Sequence, residues 1–271
     1  MTGAADHRPA QADAPSPGTA NDQAIGGQAL GGDAPRFLRA MEATWPPRAV
    51  TSLGPWRLRD GAGGGKRASA ATFTGDPGEV SDATIDDAVQ AMRDAGGPVL
   101  FQVLPGQEAL DAALATRDFA LVDPVVIKAA PVAALVGNAP PSPTAQFIWP
   151  ALAIMREIWE MGGIGPERLS VMERVAGPKT AIFDRVGMKP AGVGFVAMHE
   201  GIAMLHALEV QPPLRRKGAA RHILGSAIQW AQELGADHLA VAVTSENTPA
   251  RGLYTSLNMG IVGHYHYRAG S

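Results

Sequence analysis

Cysteine is missing from the whole chain of 271 residues. Its absence removes disulfides, thiolate metal sites and a cysteine nucleophile together, while leaving the compartment open. Aromatic residues are sparse at 6%, with only three tyrosines, so a tyrosine at a motif position stands out. Charge excess is missing too: 23 Lys and Arg face 26 Asp and Glu, for a net charge of −3. That balance gives no reason to expect nucleic acid or an anionic membrane surface as partner. No apolar run reaches the ~18 residues that a membrane-spanning helix needs. The opening MTGAADHRPAQADAPSPGTANDQ has no apolar core behind a basic start, as a secretory leader would. The expected setting is cytoplasmic. At 46% hydrophobic residues, the chain can build one large core or two modest ones.

Residues 1–34 are rich in Ala, Gly, Pro, Asp and Gln and carry too little apolar surface to offset chain entropy, so they are expected to be disordered. Order is expected from 35, where Phe37, Leu38, Met41 and Trp45 fall at helical spacing. A Pro- and Asn-rich stretch over 136–146 reads as a linker. It divides a first lobe, 35–135, from a second, 147–271. In the second, the patterns predict helices over 151–161 and 166–176, then strands over 180–186, 191–198 and 202–210. A helix over 217–235, a strand over 238–244, a helix over 246–259 and a strand over 260–268 follow. The first lobe echoes this ending, with a helix over 82–97, a strand over 97–103, a helix over 106–118 and a strand over 120–130. Leu114 then falls where the second lobe has Tyr254, and a weak internal duplication is expected.

The stretch PPLRRKGAARHI, residues 212–223, carries the chemistry. A helix N-terminus leaves backbone N–H groups unpaired and gathers partial positive charge. Gly218, Ala219 and Ala220 would let a ligand approach those amides, and Arg215, Arg216, Lys217 and Arg221 would add ionic support. The stretch therefore reads either as a cradle for phosphate or pyrophosphate, or as a strand-to-helix turn with solvated cations. The run GAGGGKR, residues 61–67, lacks the spacing of a phosphate loop. It reads as a hairpin tip feeding a strand over 67–73. His264 and His266 share a strand face but have no third ligand at helpful spacing, so no metal is expected.

The region from about 191 to 268 resembles the GCN5-related N-acetyltransferase (GNAT) superfamily. Arg215-Arg216-Lys217-Gly218-Ala219-Ala220 is similar to its acetyl-CoA pyrophosphate motif, and Asn247 through Tyr254 is similar to its later Asn-to-Tyr signature. Asn258-Met259 replaces the usual Gly-Phe after that helix. Asn tolerates a left-handed helix stop and Met fills an apolar slot. Residues 54–72 and 101–124 look, more loosely, like the degenerate first lobe of two-lobed members. The resemblance implies an α/β (α+β) fold: a mixed, mostly antiparallel sheet with two splayed central strands, flanked by helices, in two lobes.

The resemblance also implies roles. The backbone of Leu208, Glu209 and Val210 would bond the pantetheine arm of acetyl-CoA, and the amides of 216–221 its pyrophosphate. Asn247 would lie beside the arm, or serve as a helix cap, or both. Tyr254 would donate to the departing thiolate, or would be a packed core tyrosine. His206 and Glu209 are candidate general bases. Their opposite parity lets only one face the site unless a bulge intervenes. The expected activity is direct acetyl transfer to a small-molecule or peptide amine. The alternative is a non-catalytic acyl-CoA sensor. Neither nucleic acid nor membrane is expected as partner, and a homodimer is left open.

Overall fold

The computed structural model describes residues 34–141 and 143–270. The tail expected to be disordered lies outside these residues except for Ala34, which opens α1 (Ala34–Thr44). Next come β1 (Ala49–Leu53), β2 (Trp56–Asp60), the single turn α2 (Lys66–Ser69), β3 (Ala71–Phe73), α3 (Asp82–Asp94) and β4 (Leu100–Val103). The first half closes with α4 (Glu108–Thr116), β5 (Ala120–Pro131) and the short α5 (Val132–Leu135). The second half runs β6 (Gln146–Ile148), α6 (Ala153–Met161), α7 (Pro166–Arg174), β7 (Lys179–Val186), β8 (Lys189–His199) and β9 (Ile202–Val210). It ends α8 (Ala219–Glu233), β10 (His238–Thr244), α9 (Thr248–Ser256) and β11 (Gly260–Ala269).

The strands join one mixed sheet in the order β1-β2-β3-β4-β11-β5-β10-β9-β8-β7-β6. Only β3–β4 and β9–β10 are parallel; the remaining neighbours are antiparallel. The final strand of each half is seated in the other half. β5 pairs with β10 from His238↔Pro131 to Thr244↔Val125, and β11 pairs with β4 from His266↔Val103 to Ala269↔Leu100. β5 and β11 also pair with each other.

The internal echo is present in the backbone. Asp118 (φ +61°) and Asn258 (φ +59°) each turn left-handed just past α4 and α9. In both cases the next amide returns to the helix: Phe119 N to Leu114 O, and Met259 N to Tyr254 O, each 3.1 Å. The two helices therefore close with the same C-terminal hydrogen bond.

Helices cover both sheet faces. α8 buries Ile223, Leu224, Ala227 and Ile228 with Val196, Leu205 and Leu239; each large aliphatic contributes about 1.5–3 kcal/mol by leaving water. α1 buries Phe37 and Met41 with Ile127, Met204 and Tyr265, so this first-half helix covers strands of both halves. α6 and α7 pack Met155, Ile158, Trp159 and Val171 on Phe183, Val193 and Phe195. Among the described residues no helix is long and apolar enough to cross a membrane.

Within the stretch read as a linker, Ala139 is buried in the core under α8, and Arg221 donates to the Asn138 carbonyl. Proline here stops regular structure without preventing burial. One local expectation is corrected: residues 67–73 are not one strand. Residues 66–69 make the turn α2, and the strand is confined to 71–73, because the preceding glycine loop is pressed against α7. The hairpin lies earlier, with Leu53 opposite Trp56.

Because β5 sits between β10 and β11, the halves should unfold together. Ile127→Ala, at a fully buried β5 position, should lower the unfolding free energy by about 2–5 kcal/mol while urea denaturation remains a single transition. Two separated transitions would contradict the shared sheet.

Candidate active site

β9 and β10 pair from Ile202↔His238 to Leu205↔Val241 and no further. Beyond that point β9 stays attached to β8 as far as Gly192↔Val210, and β10 stays attached to β5 as far as Thr244. The two strands part into a V, and a cleft of about 1000 Å³ opens between them.

A bulge sits at the start of the opening. Val193 faces Glu209 and Phe195 faces His206, so β9 carries one extra residue. Ala207 takes it up with φ +50°, a left-handed conformation that costs a non-glycine residue about 1–2 kcal/mol. Its carbonyl accepts from Trp159 Nε1 at 2.8 Å, which holds the kink. The bulge restores common parity, and both His206 and Glu209 line the cleft.

At the outer end of β9 the chain turns through Pro212–Leu214, with Leu214 packed on Ala191 and Ala219. Arg216 (φ +62°) and Gly218 (φ +91°) are left-handed, which curls the amides before α8 into a concavity suited to an anion. Gly218 is the N-cap of α8 and no side chain caps it, so the first amides of that helix keep their donors. The first-half counterpart differs: Ser81 caps α3 by accepting from Thr84 N at 3.3 Å. Arg215, Arg216, Gly218, Ala219, Ala220 and Arg221 all line the cleft, as do Leu208 and Val210. Lys217 is exposed and does not. Arg215 bonds Glu209 Oε1 at 3.0 Å and the Val210 carbonyl at 3.0 Å.

α9 follows the second strand of the V. Asn247 caps it by accepting from Ala250 N at 3.1 Å and also lines the cleft. Tyr254, about two turns further and 6% exposed, lines it too. Burial pushes its hydroxyl up to about 12, so at neutral pH it is a proton donor.

The first half supplies residues that sequence reasoning missed. Gly64 lies so close to α7 that a side chain there would meet Val171 Cγ2 at 2.3 Å, and its carbonyl accepts from Trp45 Nε1 at 3.2 Å. This clamp places Lys66 and Arg67 over the cleft, with Trp45 and Asp123 beside them. The only signal was the run GAGGG ahead of two bases. Tyr265 and Tyr267 are both buried and both border the same space.

His206 does not suit the role of general base. Arg67 Nη1, which can only donate, bonds Nδ1 at 3.0 Å. Nε2 then carries the proton and donates to Thr44 Oγ1 at 2.8 Å, which in turn donates to the Ala40 carbonyl at 2.7 Å. Both ring nitrogens are engaged. Burial, with the Arg67 charge added, holds the imidazole well below its usual range and neutral. Glu209 is the candidate that remains. His266 of the rejected metal pair bonds Asp111 at 2.7 Å, and the described residues contain no cluster of three metal-ligating side chains.

Residues 164–259, which hold β9, α8, β10 and α9, match the model of the acetyltransferase (GNAT) family. The match takes in the V, the cradle and Tyr254. Over 246 residues the chain is 26% identical to an uncharacterised N-acetyltransferase of Bacillus subtilis, YobR, covering 87% of this chain and 98% of that one. A GCN5-related N-acetyltransferase of Kribbella flavida shares the fold, with TM-score 0.65 and 20% identity over 90% of this chain and 96% of its own. A tandem GNAT protein from the clavulanic acid biosynthesis pathway shares it at TM-score 0.56 and 14% identity, over 85% and 87% of the two chains. The sheet of the matched residues is completed by β5, which pairs with β10 from outside them.

A buried histidine held neutral has a folded pKa below its unfolded value of about 6.5. The unfolded chain then binds a proton that the fold refuses. This contribution to stability is intact above about pH 6.5 and is lost as pH falls, by about 1.4 kcal/mol per unit. Relative to wild type, His206→Gln should show a shallower loss of unfolding free energy in urea between about pH 6.5 and 5. Equal slopes would contradict the neutral, doubly bonded imidazole.

Proposed function

We propose that the protein transfers an acetyl group from acetyl-CoA to an amine by direct attack, with both substrates bound in the V. The observation that carries this is the placing of an uncapped helix N-terminus, two unpaired strand edges and a protonated buried tyrosine along one cleft. The amides of 216–221 would hold the pyrophosphate, with Arg216 and Arg221 adding charge. The free edge of Leu208 to Val210 would bond the pantetheine amides as an added strand does. Asn247 would border the same arm. A cytoplasmic setting goes with this reading, since acetyl-CoA is a cytoplasmic metabolite.

Acetyl-CoA supplies an activated acyl carbon and a sulfur leaving group. The amine nitrogen forms the new C–N bond as the C–S bond breaks, and the electron pair of that bond leaves on sulfur. The Tyr254 hydroxyl, which keeps its proton to about pH 12, donates to the departing sulfur. The proton lost by the amine passes to Glu209, directly or through water. No cysteine is present, so acyl transfer through an enzyme thiol is closed. The first half, in which Ser81 caps α3 and α4 carries Leu114 in place of Tyr254, would bind no second CoA and would wall the acceptor side.

Tyr254→Phe should lower kcat about 100-fold, within the usual range for loss of a general acid, with CoA affinity by calorimetry retained. A module that only senses CoA would have no turnover to lose. Gly218→Glu should weaken CoA binding at least ~10-fold, because a left-handed glutamate is strained and its charge opposes phosphate. Full CoA binding by Gly218→Glu would contradict the cradle.

A further inference from the structure

Arg67 lines the cleft away from the cradle cations Arg216 and Arg221, and among the described residues no carboxylate matches its charge. Lys66 is paired with Asp123, and Arg215 with Glu209 at 3.0 Å. Arg67 has no carboxylate within 4 Å among the described residues. Its bonded partner is the neutral His206, at 3.0 Å. Its Nε is buried and has no hydrogen-bond partner. Leaving a guanidinium partly desolvated and unpaired is costly. Yet the fold builds for it: Gly64 is clamped between Trp45 and α7, Ala68 of α2 is buried, and His206 is fixed through Thr44 to α1. These contacts aim the guanidinium, and they do not neutralise it.

Its position gives the cation a use. His206, which it touches, follows Leu205, the last β9 residue paired with β10. Arg67 therefore stands at the closed end of the V, across the cleft from the pyrophosphate cradle at its open end. Tyr254 lines the same cleft. A guanidinium presents its donors in a planar fork that matches a carboxylate.

We infer that Arg67 anchors a carboxylate carried by the acceptor, so that the substrate class is a small amine with a carboxylate group, of the amino-acid type. This rests on the acetyl-transfer reading above. The guanidinium would fix the acid end and leave the amine facing the thioester. Glu209, already paired with Arg215, stays available to the amine's proton.

The test compares free amino acids, the matching amino-acid amides, primary alkylamines and aminoalkyl phosphates in a thiol-release assay, with CoA titrated calorimetrically into the same protein. Wild type should favour the acids over their amides by about 10- to 100-fold in kcat/KM, the scale of a charge-assisted hydrogen-bonded pair. Arg67→Met should bring that ratio near unity, chiefly by raising KM for the acid, and Arg67→Lys should keep part of it. Should Arg67→Met fail to fold, Arg67→Gln and the wild-type ratio decide. Amides, alkylamines or phosphates used as well as the acids overturn the inference, as does a ratio unchanged in Arg67→Met. CoA binding with no acid acetylated overturns it while leaving the cofactor site standing. Absence of CoA binding overturns the acetyl-transfer reading and this inference together.

Discussion

Strands β9 and β10 share a ladder only from Ile202 and His238 to Leu205 and Val241, and the site is organised by where that ladder stops. Separating two strands inside a sheet leaves backbone groups without partners, which folded proteins rarely tolerate. Here the cost is limited because each strand keeps an antiparallel neighbour on its outer side, β8 for β9 and β5 for β10. Only the edges facing the V are open, and those edges suit a ligand with amide groups of its own. The bulge at Ala207, held by Trp159, lies just past the last pair. It turns His206 and Glu209 to one side at the point where the strands diverge.

The same constraint explains why the first half cannot be set aside as a separate lobe. β5 supplies the outer support of β10, and β11 closes the sheet against β4. Each half is finished by the other's last strand. The cleft is correspondingly composite, with Trp45, Lys66, Arg67 and Asp123 along one wall and the residues of β9, α8 and α9 along the others. A change in the packing of the glycine loop on α7 would reach the site through Arg67 and His206 without touching the cradle.

Much of the second half was legible in the sequence, since 202–210 and 238–244 appear at the limits read from apolar patterning. The cradle was legible because a local motif dictates it: Gly218 is left-handed, and Ala219 and Ala220 open a helix. The role of Asn258 as a left-handed stop was legible for the same reason. What escaped depends on contacts between distant segments. His206 alternates like any strand residue, and nothing local reveals that Thr44 and Arg67 occupy both of its nitrogens. GAGGGKR reads as a turn until α7 is seen to require its glycines. The burial of Ala139 within the proline-rich stretch over 136–146 comes from α8, not from the stretch's own pattern. The exchange of β5 and β11 is a matter of topology that periodicity does not carry.

The central claim is that the open edge of β9 and the amides before α8 receive the acetyl donor. Amide hydrogen exchange with and without CoA tests it directly. Binding should slow exchange at residues 207–210 and 216–221 and leave 76–84, the corresponding turn of the first half, unchanged. Protection at 76–84, or none at 207–210 and 216–221 under saturating CoA, would contradict it.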